Sequence, residues 1–257
     1  MLYQIANAQM REYPYAHLCV DEVFPEAFYR QMRENWPLTS SLVSLADTGR
    51  VSKGSYPERF ILPFTPEDVR KLDDRRQEFW LGFGSWLFDD RFMLAIIAKF
   101  EPYIRARFGA GVVRNRYDAK GLIVRDTTNY AIGPHTDAPH RLLSMLFYCP
   151  DDDSRAHLGT SIYVPNDPAF RCAGGPHYRH ELFRKVKTME YRRNSLFAFI
   201  KNDFSFHGVD PIGEQAVGRD VLLYDIRVHQ TAAETVPAAT SATGATFLAR
   251  LFGNRKQ

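Results

Sequence analysis

The stretch "NYAIGPHTDAPHRLLSMLFYCP" occupies residues 129–150. It places His135 and Asp137 one residue apart in a segment that otherwise reads as strand and turn. Residues i and i+2 of a strand point to one side, so the imidazole and the carboxylate would face together. If that face belongs to a core, two polar groups that are costly to bury need a partner there. A metal ion is one such partner, and it needs a third ligand from elsewhere in the chain.

The chain has eight histidines, and beside His135 one stands out. His207 lies in "NSLFAFIKNDFSFHGVDPI", where an apolar strand, a turn and a second strand lead to His-Gly-Val. Two histidines and one carboxylate on one face of a metal form the ligand set of non-haem iron(II) oxygenases. That chemistry anchors the ion and leaves three coordination positions free: two for a bidentate 2-oxo acid and one for dioxygen. Downstream, Arg219 opens the strand-like run "GRDVLLYDIR". Alternation puts Arg219, Val221 and Leu223 on one face and Asp220, Leu222 and Tyr224 on the other. Arg219 can therefore point inward, where a planar guanidinium grips a carboxylate with two parallel hydrogen bonds.

Around this constellation, residues 111–229 read as short strands separated by Gly, Pro, Asn and Asp turns. The candidates are "GVVRNRY", "GLIVRDT", "LLSMLFYC", "TSIYVP", "HELFRKVK", "SLFAFI", "FSFHGV" and "RDVLLYDIRVHQ". Such a set suggests a double-sheet jelly roll. Residues 1–110 read as mainly helical. "DEVFPEAFYRQMRENWP" carries Phe28, Met32 and Trp36 at helical spacing. "TPEDVRKLDDRRQEFWLGFGSWLF" opens on a helix-start signal. "DDRFMLAIIAKFEPYIRARFG" reads as one amphipathic helix ending at Gly109. The polar stretch "SLADTGRVSKGSYPERF" between the first two reads as a hairpin or loop. Residues 230–257 form a C-terminal extension, with "FLARLF" as a short docking helix. The economical assembly is a single domain over 1–257 of α+β class, a double-stranded β-helix core with the helical half packed against it.

The pattern "HTD … FHGV … R", in a strand-rich second half after a helical first half, resembles the iron(II)/2-oxoglutarate-dependent oxygenases, on the prolyl-4-hydroxylase-like side. The resemblance covers roughly residues 111 to 229. It implies iron(II) held by His135, Asp137 and His207, 2-oxoglutarate as cosubstrate with its C5 carboxylate on Arg219, and dioxygen as oxidant. "LGTSIYVP" resembles the segment where that family has Gly-Gly-x-Thr. Leu158 stands at the first glycine there and Ser161 at the threonine. Tyr130 and Tyr148 both stand where the family places aromatics that contact the cosubstrate. Halogenating relatives carry Ala or Gly at the carboxylate position, so Asp137 favours hydroxylation. The implied reaction is hydroxylation of an unactivated C–H bond of a small polar molecule such as an amino acid, a sugar or a natural-product intermediate. A peptidyl or prolyl substrate is the alternative within the family. A non-catalytic jelly roll that only holds metal or ligand is the alternative of another class.

Other features fill in or exclude. Arg141, directly after the HxD turn, and Arg125 are candidates for substrate contact. The remaining histidines read as surface or substrate-side residues. Taken singly, His135 could be a turn histidine bonded to Asp137, and His207 an aromatic stacked on Phe204 or Phe206. Taken together with Arg219, they read as a metal site. At 45% hydrophobic residues the chain can build a packed core. No apolar run approaches the ~20 residues of a membrane span. The basic cluster "HYRHELFRKVKTMEYRR" is interrupted by Glu181 and Glu190 and matches no nucleic-acid module, so a solvated surface explains it. Three widely spaced cysteines with no CxxC pair, and an N-terminus without a signal-peptide pattern, point to a reducing cytoplasm. Oligomeric state leaves no mark in the sequence.

Overall fold

The computed structural model describes residues 1–52, 54–109 and 116–229. Six α-helices are described: α1 Leu2–Asn7, α2 Glu26–Glu34, α3 Pro66–Val69, α4 Asp74–Leu87, α5 Asp90–Lys99 and α6 Glu101–Phe108. Eleven strands are described: β1 His17–Val20, β2 Val43–Ser44, β3 Arg59–Pro63, β4 Arg116–Asp126, β5 Ile132–His135, β6 Arg141–Tyr148, β7 Thr160–Pro165, β8 Phe183–Met189, β9 Ser195–Ile200, β10 His207–Val209 and β11 Arg219–His229. They form a seven-stranded sheet in the order β1-β9-β6-β11-β4-β3-β2 and a four-stranded sheet in the order β5-β10-β7-β8. From β4 to β11 the chain passes back and forth between these two sheets, and every recorded strand pairing is antiparallel. This is the eight-stranded jelly roll expected from the strand-rich half.

The longest pairing sets the faces. β11 runs against β4 from Arg219↔Asp126 to His229↔Arg116. Val221 lies in an apolar cluster with Val124, Leu146, Phe199 and Val209, between the two sheets. Leu222, Tyr224 and Ile226 lie in the other large cluster, with Met32, Trp80, Phe83, Phe92 and Ile96 of the helices. The helical layer thus covers the outer face of the large sheet, and the inner face is left for the site. Each large side chain so buried contributes about 1.5–3 kcal/mol.

The first half is less uniformly helical than its sequence suggests. It supplies three outer strands of the large sheet, with β1 and β2 at its edges: β1 pairs with β9, β3 with β4 and β2 with β3. β1 and β2 have four and two residues, too few to show a period. The segment from Thr65 starts twice. Thr65 caps α3 by accepting from the Asp68 N–H, and Asp73 caps α4 by accepting from the Arg76 N–H. The run from Asp89 to Gly109 is also two helices. Phe100 ends α5 and caps α6, whose first turn holds a proline. Trp36 falls beyond the end of α2, yet it is buried with its ring edge-on to Trp80 at 5.6 Å. The polar stretch 44–60 is a hairpin with a long loop: β2 and β3 pair antiparallel at its ends through Ser44↔Phe60, and one short 3₁₀ turn follows β2. "GVVRNRY" and "GLIVRDT" share the single strand β4, with residues 111–115 outside the described residues. The C-terminal extension and its "FLARLF" segment also lie outside them. Among the described residues no helix is long and apolar enough to cross a membrane.

Gly208 sits where β10 presses against β5. A Cβ there would stand 2.6 Å from the Ile132 carbonyl oxygen and 3.1 Å from Gly133 backbone atoms. Gly208→Ala must therefore push the two strands apart. The expected outcome is a loss of about 1–3 kcal/mol, lowering the melting temperature by roughly 2–12 °C. Divalent-metal affinity should fall with it, and calorimetry on both properties checks the pair.

Candidate metal centre

Two short strands bring the centre together. His207 of β10 pairs directly with His135 of β5, while Val209 pairs with Ile132. Gly133 and Pro134 therefore face the single residue Gly208, which is a β-bulge. A bulge re-aims the side chain beside it and tolerates a proline, whose missing N–H would interrupt a regular ladder. Asp137 lies two residues past the end of β5, so strand alternation does not place it as the sequence pattern suggests. The turn places it instead. Its Oδ2 accepts from the Ser144 hydroxyl at 2.6 Å, and its Oδ1 accepts from Arg141 Nη1 at 3.0 Å.

One ligand atom each from His135, Asp137 and His207 lie within 4.8 Å of one another, and no other such group of three or more occurs among the described residues. His207 Nε2 is 3.9 Å from Asp137 Oδ1. Both imidazoles have Nδ1 bonded to the carbonyl two residues earlier: His135 to Gly133 at 2.9 Å, His207 to Ser205 at 3.0 Å. That contact fixes Nδ1 as the protonated nitrogen and leaves Nε2 as the lone-pair donor. Burial lowers the pKa of both rings, which keeps them neutral and ready to ligate. Asp137 is held well below the usual carboxylate range, against the effect of burial, chiefly by the Arg141 guanidinium. The His207 ring packs on Phe199 at 4.5 Å and on His135 at 4.4 Å. A third imidazole, His177, has its ring centroid 4.5 Å from that of His135, and its Nδ1 is hydrogen-bonded to the Tyr56 hydroxyl.

A narrow cavity of about 80 Å³ runs from these ligands into the jelly roll. Val124, Leu146, Phe199, Val221 and Leu223 give it apolar walls, and Arg59, Tyr130, Thr160 and Arg219 also line it. Arg219 is 1% exposed. Its Nε donates to the Leu158 carbonyl at 2.5 Å and its Nη1 to Asp126 Oδ2 at 2.8 Å. Nη2 makes only a long 3.4 Å contact with Thr160 Oγ1. Arg59 grips the same Asp126 through Nε at 2.6 Å and Nη2 at 2.9 Å. Two guanidiniums thus share one carboxylate, leaving a surplus positive charge inside the protein. The Tyr130 hydroxyl beside them is buried and has no hydrogen-bond partner among the described residues. A buried orphan donor next to surplus positive charge fits an anionic ligand.

Other sequence candidates fall elsewhere. Tyr148 does not line this cavity. Its hydroxyl accepts from the Thr160 N–H at 3.0 Å and its ring lies 5.6 Å from the Arg219 guanidinium carbon, so it braces Arg219. The Ser161 hydroxyl bonds Thr188 and Asp210, while the neighbouring Thr160 takes the cavity face. Arg125 donates twice to Asp220, on the outer face of the large sheet. Arg141 lines the cavity and ties Asp137 to Asp225, its Nη2 lying 2.8 Å from Asp225 Oδ2. Arg59, Asp126, Ser144, Thr160 and the Tyr56–His177 pair join the site without belonging to the sequence pattern. Asp126 and Thr160 sit opposite or beside Arg219 once β4, β7 and β11 are aligned, but Arg59 and Tyr56 carry no local signal.

No family model and no curated protein matches the sequence. Among solved structures, the chain is similar to a prolyl-4-hydroxylase from Pseudomonas putida, at 14% identity and a TM-score of 0.49, covering 88% of this chain and 98% of that one. It is also similar to an oxidoreductase of the 2OG-Fe(II) oxygenase family from Burkholderia pseudomallei, at 14% identity and a TM-score of 0.46, covering 90% and 92%. A third similar structure is HygX from Streptomyces hygroscopicus with nickel and 2-oxoglutarate bound, at 13% identity and a TM-score of 0.46, covering 82% of each chain.

The ligand geometry gives a direct expectation. Anaerobic calorimetry should show one divalent ion bound per chain, with iron(II), manganese, cobalt or nickel as the ion. Asp137→Ala and His207→Ala each delete a ligand and should abolish measurable binding. Ser144→Ala removes the hydrogen bond to Oδ2 and a long 3.4 Å contact from Arg141 Nη1, deletes no ligand, and should weaken binding by about 10–100-fold. Undiminished affinity in His207→Ala would place the metal elsewhere.

Proposed function

We propose that the chain is an iron(II)- and 2-oxoglutarate-dependent dioxygenase that hydroxylates an unactivated C–H bond of a small polar molecule. The observation that carries this reading is the content of one cavity. A two-histidine, one-carboxylate set stands at the metal end, and a surplus guanidinium charge beside an unpartnered phenol lines the same space. Such a set holds a divalent ion and leaves positions open. A dicarboxylate with a 2-oxo group matches both ends.

When bound, iron(II) with 2-oxoglutarate and dioxygen supplies the oxidising chemistry, one oxygen atom going to substrate while the cosubstrate leaves as succinate and carbon dioxide. The protein's own residues perform the rest. His135, Asp137 and His207 hold the ion. Arg219, and Arg59 through their shared Asp126, present positive charge to the distal carboxylate, and the Tyr130 hydroxyl donates to it. The apolar walls keep bulk water out, which strengthens each of these contacts. A cytoplasmic location suits the free thiols Cys19, Cys149 and Cys172. We read residues 1–257 as one catalytic unit.

Tyr130→Phe is the clean test, because the lost hydroxyl has no hydrogen-bond partner among the described residues. Melting temperature should hold, while the dissociation constant for 2-oxoglutarate on the metal-loaded protein should rise roughly tenfold. Arg219→Ala should raise it by more than about tenfold and should also destabilise the fold, since Asp126 loses one of its two cations. Lys at 219 should rescue only partly, lacking the planar fork. Succinate formation that requires iron(II) separates an oxygenase from a jelly roll that only stores a ligand. Failure of the metal-loaded wild type to bind 2-oxoglutarate would sink the reading.

A further inference from the structure

A second, larger cavity of about 1190 Å³ adjoins the metal pocket, and Arg141 lines both. It opens where β3 ends. Pro63 pairs with Leu122, and the edge of β4 before that point, residues 119–122, lines the opening. Five cationic side chains line this space, Arg50, Arg70, Lys120, Arg141 and Arg227, against the single carboxylate of Asp225. The cavity therefore favours an anion.

Asp225 adds a second requirement. It is 4% exposed, and its Oδ2 is taken by Arg141 Nη2 at 2.8 Å with Arg227 Nη2 farther off at 4.0 Å. Its Oδ1 is buried and has no hydrogen-bond partner among the described residues, and neither does Arg227 Nε. An orphan acceptor and an orphan donor thus sit side by side on one strand face. A buried carboxylate oxygen without a donor is costly, and a ligand that brings one removes the cost. The place is also close to the chemistry: Asp225 is separated from the metal ligand Asp137 by the width of one guanidinium, that of Arg141.

We propose that this cavity is the substrate subsite and that it selects a small organic acid with a hydrogen-bond donor beside its carboxylate, an amino acid or an α-hydroxy acid. Asp225 Oδ1 accepts from the amine or hydroxyl, and Arg227 and Lys120 hold the carboxylate. A neutral sugar would leave the cations beyond the Arg141–Asp225 pair unanswered, and a simple acid would leave Asp225 Oδ1 without a donor. The inference rests on the oxygenase reading only for the assignment of the adjoining pocket to the reacting metal.

The test is calorimetric binding, not turnover. The protein is loaded with nickel and 2-oxoglutarate, which keeps added acids from chelating the metal, and the metal-free protein is run in parallel. The probes are the standard amino acids, the matching α-hydroxy acids, the carboxamides of both, and neutral monosaccharides. At least one amino or hydroxy acid should bind at millimolar concentration or below, and its carboxamide should bind more than about tenfold more weakly. Whether the amino or the hydroxy series binds identifies the donor. Asp225→Asn and Arg227→Gln should each weaken that acid about tenfold or more. Lys120→Gln lies on an exposed residue and keeps the Arg141–Asp225 pair intact, so it reads the carboxylate contact even if Asp225→Asn folds poorly. The proposal is overturned if no acid binds, if carboxamides or sugars bind as well as acids, or if a binding acid ignores both Arg227→Gln and Lys120→Gln. If 2-oxoglutarate fails to bind the nickel form while an acid still binds the metal-free protein with this dependence, the oxygenase reading falls and the subsite stands.

Discussion

Everything at the site depends on a pairing of two very short strands. His207 stands opposite His135 because β10 and β5 meet in one register, and a bulge at Gly133 and Pro134 shifts that register next to the histidines. The approach needs Gly208, whose backbone lies against the Ile132 carbonyl with no room for a side chain. β10 has three residues, and its other neighbour β7 pins it through His207↔Ile162. Strands this short hold little on their own. Their position comes from the wide sheet opposite, where β4 and β11 pair over eleven residues and the helices bury its outer face. The helical layer thus acts on the metal centre at second hand, by fixing the sheet against which the short strands close.

The buried charges follow a related logic. Arg59, Asp126 and Arg219 form one group, with one positive charge in surplus. Asp137, Arg141 and Asp225 form another, with one negative charge in surplus. Together they are balanced, yet each is locally uncompensated, and such groups are expensive to bury. A divalent cation with one carboxylate of a dianion beside the second group, and the other carboxylate beside the first, would leave the total unchanged while neutralising each surplus. Charge pairing of this kind makes the two ligands mutually supportive: each lowers the cost of burying the other.

Much of this was legible in the sequence because it follows from local pattern. The strands "TSIYVP" and "SLFAFI" coincide with β7 and β9, since both are fully apolar or alternating runs with turn residues at each end. His135, Asp137 and His207 were recognisable as residue types that a metal requires. Strand alternation does not aim Asp137; a turn and two side-chain hydrogen bonds do. Ser161 against Thr160 shows the limit of motif matching: a one-residue shift along a strand moves a side chain to the opposite face, and spacing alone does not settle the frame. Tyr130 and Tyr148 were indistinguishable in sequence because both are buried aromatics near strand ends. Only the fate of each hydroxyl separates them, one orphaned in the cavity and the other bonded to the β7 backbone. Arg59 was invisible for another reason. It reaches Asp126 across a sequence separation of 67 residues, through the β3–β4 pairing.

The two ends of the site also differ in how they are built. The inner end uses residues at strand starts, such as Arg219, paired with Asp126 of β4, and Thr160, paired with Met189 of β8. The mouth uses residues where the sheet runs out: Lys120 on the part of β4 that β3 no longer covers, Arg227 near the end of β11, and Arg50 on a loop. Side chains at such places change with little effect on the core, whereas a change at Asp126 or Gly208 disturbs the fold itself. With the mouth as the proposed substrate subsite, its residues can vary while the inner end is kept. The early end of β3 is the structural cause of the mouth: one more pair of residues on that strand would extend the ladder over the edge of β4 and narrow the opening beside Arg141.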